Sequence, residues 1–340
     1  MKIAGLDIGG ANTDLAIIDF KDDEIESIAI DFEYLPMWSN NNELISTLKQ
    51  LIEKICPLDS LDGVGISMTS ELVDAYKTKK EGVLDVVFKC EELFNCPIGF
   101  VGLNDIISLK NIKSRPIEVA ACNWIATSKI TSKIDENCIF IDTGSTTTDI
   151  IPIKNGKECS KGRTDFERLA TGELVYTGTL RTNIASFIDK IPIKNKEYRI
   201  ASELFAQTAD VYMVLDKIDV DDYICDTFDG EGKDKIDCMR RISRLVCSDL
   251  DYLSSSDVID ISKFIYKKQV EQIVDGLKQV VDYQNLDTVV ITGLGKDILA
   301  NEAAKILNLK IRSMNEFLSD EECIVAPAIG TALMMKDYLE

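Results

Sequence analysis

One eight-residue string occurs twice in this chain, each time between two apolar segments. Asp7-Ile-Gly-Gly-Ala-Asn-Thr-Asp14 aligns without gaps on Asp142-Thr-Gly-Ser-Thr-Thr-Thr-Asp149, with Asp, Gly, Thr and Asp at the same offsets. Met1–Ile8 and Leu15–Phe20 flank the first copy, and Cys138–Ile141 and Thr148–Ile153 flank the second. Apolar runs on either side of a turn rich in small residues predict a β-hairpin. The same hairpin in matched contexts predicts two related α/β domains, each opening with strand–turn–strand. The boundary is expected near residues 128–137, giving domains 1–130 and 131–340. A length of 340 residues suits two domains.

The remaining pattern fits that plan. Ile25–Tyr34, Gly63–Met68 and Ile98–Leu103 read as strands. Leu44, Leu48, Leu51, Ile52 and Ile55 give Glu43–Cys56 helical spacing. Glu81–Phe94 and Glu118–Ser128 read as helices, and Gly162–Asn183 as irregular. Longer helical patterns lie near Lys235–Leu250 and Asp257–Val281. Thr288–Thr292 is a predicted strand running into Gly293-Leu294-Gly295-Lys296, and Ala326–Tyr338 a closing helix.

The repeated turns suit an anion. Small residues let backbone N–H groups approach a phosphate closely, and hydroxyls add donors. Gly9, Gly10, Ala11, Asn12 and Thr13 supply this in the first copy, and Gly144, Ser145, Thr146 and Thr147 in the second. A carboxylate beside phosphate needs a cation between them, so Asp7 and Asp142 are expected to hold Mg²⁺. Asp14 and Asp149 are expected to support the turns. Gly293, Leu294, Gly295 and Lys296 form a loop of the kind that meets a nucleotide at a helix N-terminus, or serve the fold alone. Lys161, Arg163, Arg168 and Arg181 form a basic group, suited to substrate anions or to ordinary ion pairs. Trp124, Phe166 and Tyr176 are expected to pack in the core, with an aromatic pocket wall as the alternative.

Composition narrows the chemistry. The chain has no histidine, which excludes Ser-His-Asp and Cys-His triads and His-containing zinc sites. A formal net charge of -20 argues against nucleic acid and anionic membranes as partners and leaves small-molecule substrates. No run approaches the roughly 18 consecutive apolar residues of a membrane span. With Asp7 this near the start, no signal-peptide core is expected either, so a cytoplasmic location is expected. Ten scattered cysteines without a C-x-x-C pair are expected to be thiols. The oligomeric state stays open.

The two Asp-Gly turns and the later Gly-rich loop, in this order, resemble the actin, heat-shock chaperone and sugar kinase superfamily. The resemblance spans nearly the whole chain. It implies two ribonuclease-H-like, actin-like ATPase domains around a central cleft. Gly5-Leu-Asp-Ile-Gly-Gly-Ala-Asn-Thr-Asp14 resembles the hydantoinase/oxoprolinase-like branch. Phe140–Asp149, Arg163–Arg181, Ala120-Ala-Cys-Asn-Trp124 and Ala206-Gln-Thr-Ala-Asp210 are similar to a family linked to one-carbon metabolism, whose methanogen members are methanofuran-biosynthesis synthases. That resemblance implies a transferase joining γ-glutamyltyramine to 5-(aminomethyl)-3-furanmethanol diphosphate. It releases diphosphate and does not consume ATP. Asp7 and Asp142 would serve the leaving group, and Asp142 and Glu173 are the candidates for accepting the phenol proton. A small-molecule kinase, a non-enzymatic ATP switch and an ATP-dependent amidohydrolase are the competing readings of the same superfamily.

Overall fold

The computed structural model describes all residues, 1–340. The first sheet is built from β1 (Lys2–Ile8), β2 (Asn12–Lys21), β3 (Glu24–Tyr34), β4 (Gly63–Met68), β5 (Ile98–Val101) and β6 (Ile106–Ser108), in the order β3-β2-β1-β4-β5-β6. β1, β2 and β3 are antiparallel neighbours, while β4 runs parallel to β1 and β5 parallel to β4. The second sheet uses β7 (Cys138–Thr143), β8 (Thr148–Lys154), β9 (Lys157–Glu158) and β10 (Leu174–Val175). A small separate hairpin, β11 (Lys190–Ile193) and β12 (Lys196–Arg199), precedes its last strands, β13 (Thr288–Thr292) and β14 (Lys310–Ser313). Its order, β10-β8-β7-β13-β14, repeats the first: an antiparallel β7/β8 hairpin with β13 and β14 added in parallel. The sequence repeat is thus a repeat of topology.

Both domains bury apolar side chains on each face of the sheet. Ala4, Leu6 and Ile8 of β1 belong to one core with the helix Leu44–Glu53, whereas Ile3, on the opposite face, joins a second core. That second core also holds Phe140 and Ile151 of the other sheet, Trp124 and Ile125, and Ala328, Ile329 and Ala332. The two domains therefore share an apolar seam filled by two helices, Asn123–Ile134 and Ala326–Leu339. A third core, around the helix Ser255–Gln284, belongs to the second domain alone.

The C-terminal helix corrects the expected domain division. Residues 326–339 lie on the first sheet, against β1, β2 and β4, although they follow the second in sequence. The cause is a row of glycines. Gly5, Gly65 and Gly99 are register partners across β1, β4 and β5. A Cβ on Gly5 would sit 2.0 Å from the Ala328 carbonyl oxygen, and one on Gly65 2.7 Å from that of Thr331. The helix backbone rests directly on this strip, where any side chain would hold it away.

Other elements shift modestly. Glu118–Ser128 is not one helix: a short turn at Pro116–Val119 is followed by the helix Asn123–Ile134. Ala121, at φ 52°, breaks the continuity. Gly162–Asn183 contains a short helix, Asp165–Thr171, capped by the Thr164 hydroxyl and closed by Gly172 at φ 77°. No helix is long and apolar enough to cross a membrane.

Candidate active site

The two turns have the same internal geometry. Gly9 N–H donates to the Asn12 carbonyl at 2.9 Å, and Gly144 N–H donates to the Thr147 carbonyl at 2.9 Å. Each turn is held from behind through its carbonyls. Gly10 O and Ala11 O accept from Met37 and Leu35, while Gly144 O accepts from Thr179, and Ser145 O from Leu180 and Arg181. Gly178 lies beneath the second turn, where a Cβ would come 2.4 Å from Thr146 N. The N–H groups of Gly10, Ala11, Ser145 and Thr146 donate to no protein acceptor. Carbonyls tied back and amides left free make a concave set of donors suited to an anion.

Carboxylates stand at the base of each turn. Asp7 pairs with Asp14 across β1 and β2, and Asp142 with Asp149 across β7 and β8. Asp7 is 6% exposed and accepts from Ser67 Oγ at 2.7 Å and Asn123 Nδ2 at 3.3 Å. Burial nevertheless raises its pKa above the ordinary carboxylate value. Asp14 is pushed up to about 8, by burial first and then by the charge of Asp7. Asp142 is pushed up to about 7, by burial, then by Asp149, then by Asp7. Asp7 thus acts on Asp142 although they belong to different domains. Of the four carboxylates only Asp149 has a basic partner, Arg168. Asp7 and Asp142 are oxygen donors of the type a hard divalent cation takes, one or two carboxylates with phosphate and water oxygens completing the shell.

The Gly-rich loop packs onto this assembly. Gly293, at φ 87°, lies where a Cβ would meet Asp142 Oδ1 at 2.3 Å, and Gly295 N–H donates to the Thr143 carbonyl at 2.8 Å. Leu294 is partly exposed, and Lys296 turns away to Asn315 and Asp320. A one-turn π-helix, Lys296–Ala300, follows.

Several expected site residues have other work. Glu173 is 0% exposed and accepts from Lys161 N at 2.6 Å, Gly162 N at 2.7 Å, Thr171 Oγ1 at 2.6 Å and the Tyr283 hydroxyl. Its lone pairs are saturated, so it is a structural anchor and not a proton acceptor. Arg168 is 1% exposed, bonded to Asp149 and Asp165 and stacked 4.5 Å over the Trp124 ring. It secures the second hairpin and is not open to a substrate anion. Arg163 bonds Glu158 at 2.6 Å and the Leu103 carbonyl at 2.7 Å, tying the domains together. Lys161 lies 3.6 Å over the Tyr283 ring. Arg181, like Lys161, is exposed without an ion pair, and its own N–H is bonded to the second turn. Trp124 is core as expected, donating to the Ala121 carbonyl, but Phe166 and Tyr176 are 86% and 68% exposed, so they are neither core nor part of a common aromatic wall with it.

Sequence reasoning missed Ser67 and Asn123, which orient Asp7. Their signal was weak: Ser67 is the polar residue near the end of an apolar strand, and Asn123 sat inside a supposed helix. A groove of about 890 Å³ lies between Leu103–Ile106, Gly156–Glu158 and the C-terminal helix; none of the expected site residues lines it.

The sequence profile of the hydantoinase/oxoprolinase family matches residues 62–338, most of the chain. The chain belongs to this family. Within it, a relative from Methanocaldococcus jannaschii is 39% identical over 342 residues, covering 100% of this chain and 99% of its own length. It bears the name (4-{4-[2-(gamma-L-glutamylamino)ethyl]phenoxymethyl}furan-2-yl)methanamine synthase. A Methanococcus vannielii protein of the same name is 40% identical over 213 residues, 62% of this chain and 96% of that one. Among solved structures, (R)-2-hydroxyglutaryl-CoA dehydratase component A from Acidaminococcus fermentans superposes with a TM-score of 0.51 at 12% identity, over 100% of both chains. At that identity the likeness concerns the fold, which is the actin-like ATPase fold expected from the sequence.

Proposed function

We propose that this family member is the aryl ether synthase that its full-length relative is named for. It joins the phenol of γ-glutamyltyramine to the furanylmethyl carbon of 5-(aminomethyl)-3-furanmethanol diphosphate. The phenol oxygen forms a bond to the methylene carbon, and the carbon–oxygen bond to diphosphate breaks. The bonding electron pair leaves with diphosphate, and the phenol proton is lost. The observation that carries this reading is the pair of turns with free amides above carboxylates that lack cationic partners.

The furan ring stabilises positive charge on the departing carbon, so the barrier falls chiefly by stabilising the leaving group. The amides of Gly10, Ala11, Ser145 and Thr146 are placed for that task, with Arg181 at the edge of the second turn. Mg²⁺ held by Asp7 and Asp142 would neutralise charge on the diphosphate. The phenol, with an ordinary pKa of about 10, gives its proton to a carboxylate because the chain has no histidine. Of the two acceptors expected from the sequence, Asp142 remains once Glu173 is removed. ATP is not consumed in this reading.

The test measures ether product, diphosphate and ADP together, with and without ATP. Ether and diphosphate are expected in equal amounts, independent of ATP. Stoichiometric ADP with no ether would overturn the reading in favour of a kinase.

A further inference from the structure

Glu71 is a buried carboxylate that the chemistry above leaves unused. It is 1% exposed, and its Oε2 has no hydrogen-bond partner. Its Oε1 lies 3.6 Å from Lys79 Nζ. The neighbouring Ser70 is 0% exposed, and its hydroxyl is unpartnered as well. A buried polar group left unmade costs about 1–3 kcal/mol. Two adjacent ones at a domain seam point to a ligand that completes them.

A comparison inside the chain sharpens the point. Thr69-Ser-Glu-Leu-Val73 and Thr171-Gly-Glu-Leu-Val175 share four of five residues. In the second string the carboxylate of Glu173 is saturated by four donors. In the first, Glu71 has one long contact to Lys79 and a free oxygen. The same local sequence has built an anchor in one place and an open acceptor in the other.

The position of Glu71 indicates what would fill it. Residues on both sides of it flank the first turn. Thr69 N–H donates to the Ile8 carbonyl at 3.0 Å, and Val73 Cγ1 lies 3.3 Å from the Cβ position of Gly10. From the second domain the Asp165 carboxylate acts on Glu71 electrostatically, but it is itself paired with Arg168 at 3.3 Å. Lys79 meets one oxygen of Glu71, while the other oxygen and the Ser70 hydroxyl are left without a partner.

We propose that Glu71, with the Ser70 hydroxyl beside it, binds the primary ammonium group of the substrate whose diphosphate occupies the first turn. This rests on the function proposed above. The aminomethylfuran diphosphate carries a cation at one end and an anion at the other. The segment Thr69–Val73 would then read both ends of one small molecule. An ammonium offers three donors, which suits Glu71 Oε2 and Ser70 Oγ together. Lys79 faces the other oxygen of Glu71 and leaves this one free.

The test is calorimetric titration of folded wild type and Glu71→Gln with three ligands: 5-(aminomethyl)-3-furanmethanol diphosphate, its analogue lacking the aminomethyl group, and inorganic diphosphate, all with Mg²⁺. Glu71→Gln is expected to weaken the amine-bearing ligand at least tenfold and the other two less than twofold. Equal weakening of all three, or no weakening of the first, overturns the proposal. Circular dichroism checks that the variant folds. If it does not, Ser70→Ala, which removes the other unpartnered group, is expected to show the same selective loss and decides the matter in the same way. Amine-selective binding by a protein that forms no ether would refute the synthase reading while leaving this site standing.

Discussion

Ser67 Oγ donates to Asp7 Oδ1 at 2.7 Å, and Thr331 Oγ1 lies 3.1 Å from that same Ser67 oxygen. The first carboxylate of the candidate site is thus coupled to the last helix of the chain through a single hydroxyl. That helix can reach Ser67 only because its backbone rests directly on Gly5 and Gly65.

Gly5→Ala places a methyl group against the Ala328 carbonyl, so the helix must lift. A cost of about 1–3 kcal/mol is expected, as for other overpacked sites. The thermal midpoint should drop by a few degrees, and activity should fall along with it because Thr331 and Ser67 move together. An unchanged midpoint in differential scanning calorimetry would mean that the helix is not seated as described.

Asp7→Asn and Asp142→Asn each remove a carboxylate at the base of a turn. Each is expected to lower kcat by about 10²–10³, the usual consequence of losing a major electrostatic element. Ser67→Ala, which only orients Asp7, should lower it less. Steady-state rates at saturating Mg²⁺ check the order, and wild-type rates in both Asp variants would remove these residues from the site.

Arg181 and Arg163 separate binding from architecture. Arg181→Ala takes away an exposed, unpaired cation beside the second turn, so it should weaken inhibition by added diphosphate about tenfold with little change in thermal midpoint. Arg163→Ala breaks the bond to the Leu103 carbonyl and should lower the midpoint while leaving diphosphate inhibition near wild type. The reverse pattern would exchange their roles.

Asp257 sets a pH-dependent contribution at the start of the helix Ser255–Gln284. Lys194, then Ser254, hold its carboxyl down to about 2. Its folded pKa is thus below the ordinary value of about 3.9. The stabilisation is present above about pH 4 and is lost as pH falls through about 2. Asp257→Asn should therefore melt lower than wild type at pH 7, and the gap should close towards pH 2. A gap independent of pH would assign the effect to something other than this charge.

The sequence by itself determined the repeated hairpins, because Asp-x-Gly-x-x-x-Thr-Asp between apolar strands leaves the backbone little choice but a tight turn with its carboxylates in register. It also determined what the chemistry lacks, since a chain without histidine must work with carboxylates, amides and a cation. The roles of Arg168, Glu173 and Glu71 were settled only by tertiary structure. Arg168 and Glu173 sat in a promising basic and acidic segment, yet the fold turned one onto Asp149 and the other onto backbone amides. Glu71 sat in a short string almost identical to that of Glu173, and nothing local distinguished them. The difference is long-range: Tyr283, 110 residues away, closes on Glu173, whereas Glu71 meets only Lys79, at 3.6 Å, and keeps a free oxygen. Whether a buried charge becomes an anchor or a site depends on which partners the fold delivers to it, because desolvation makes an unpaired group costly and a paired one inert.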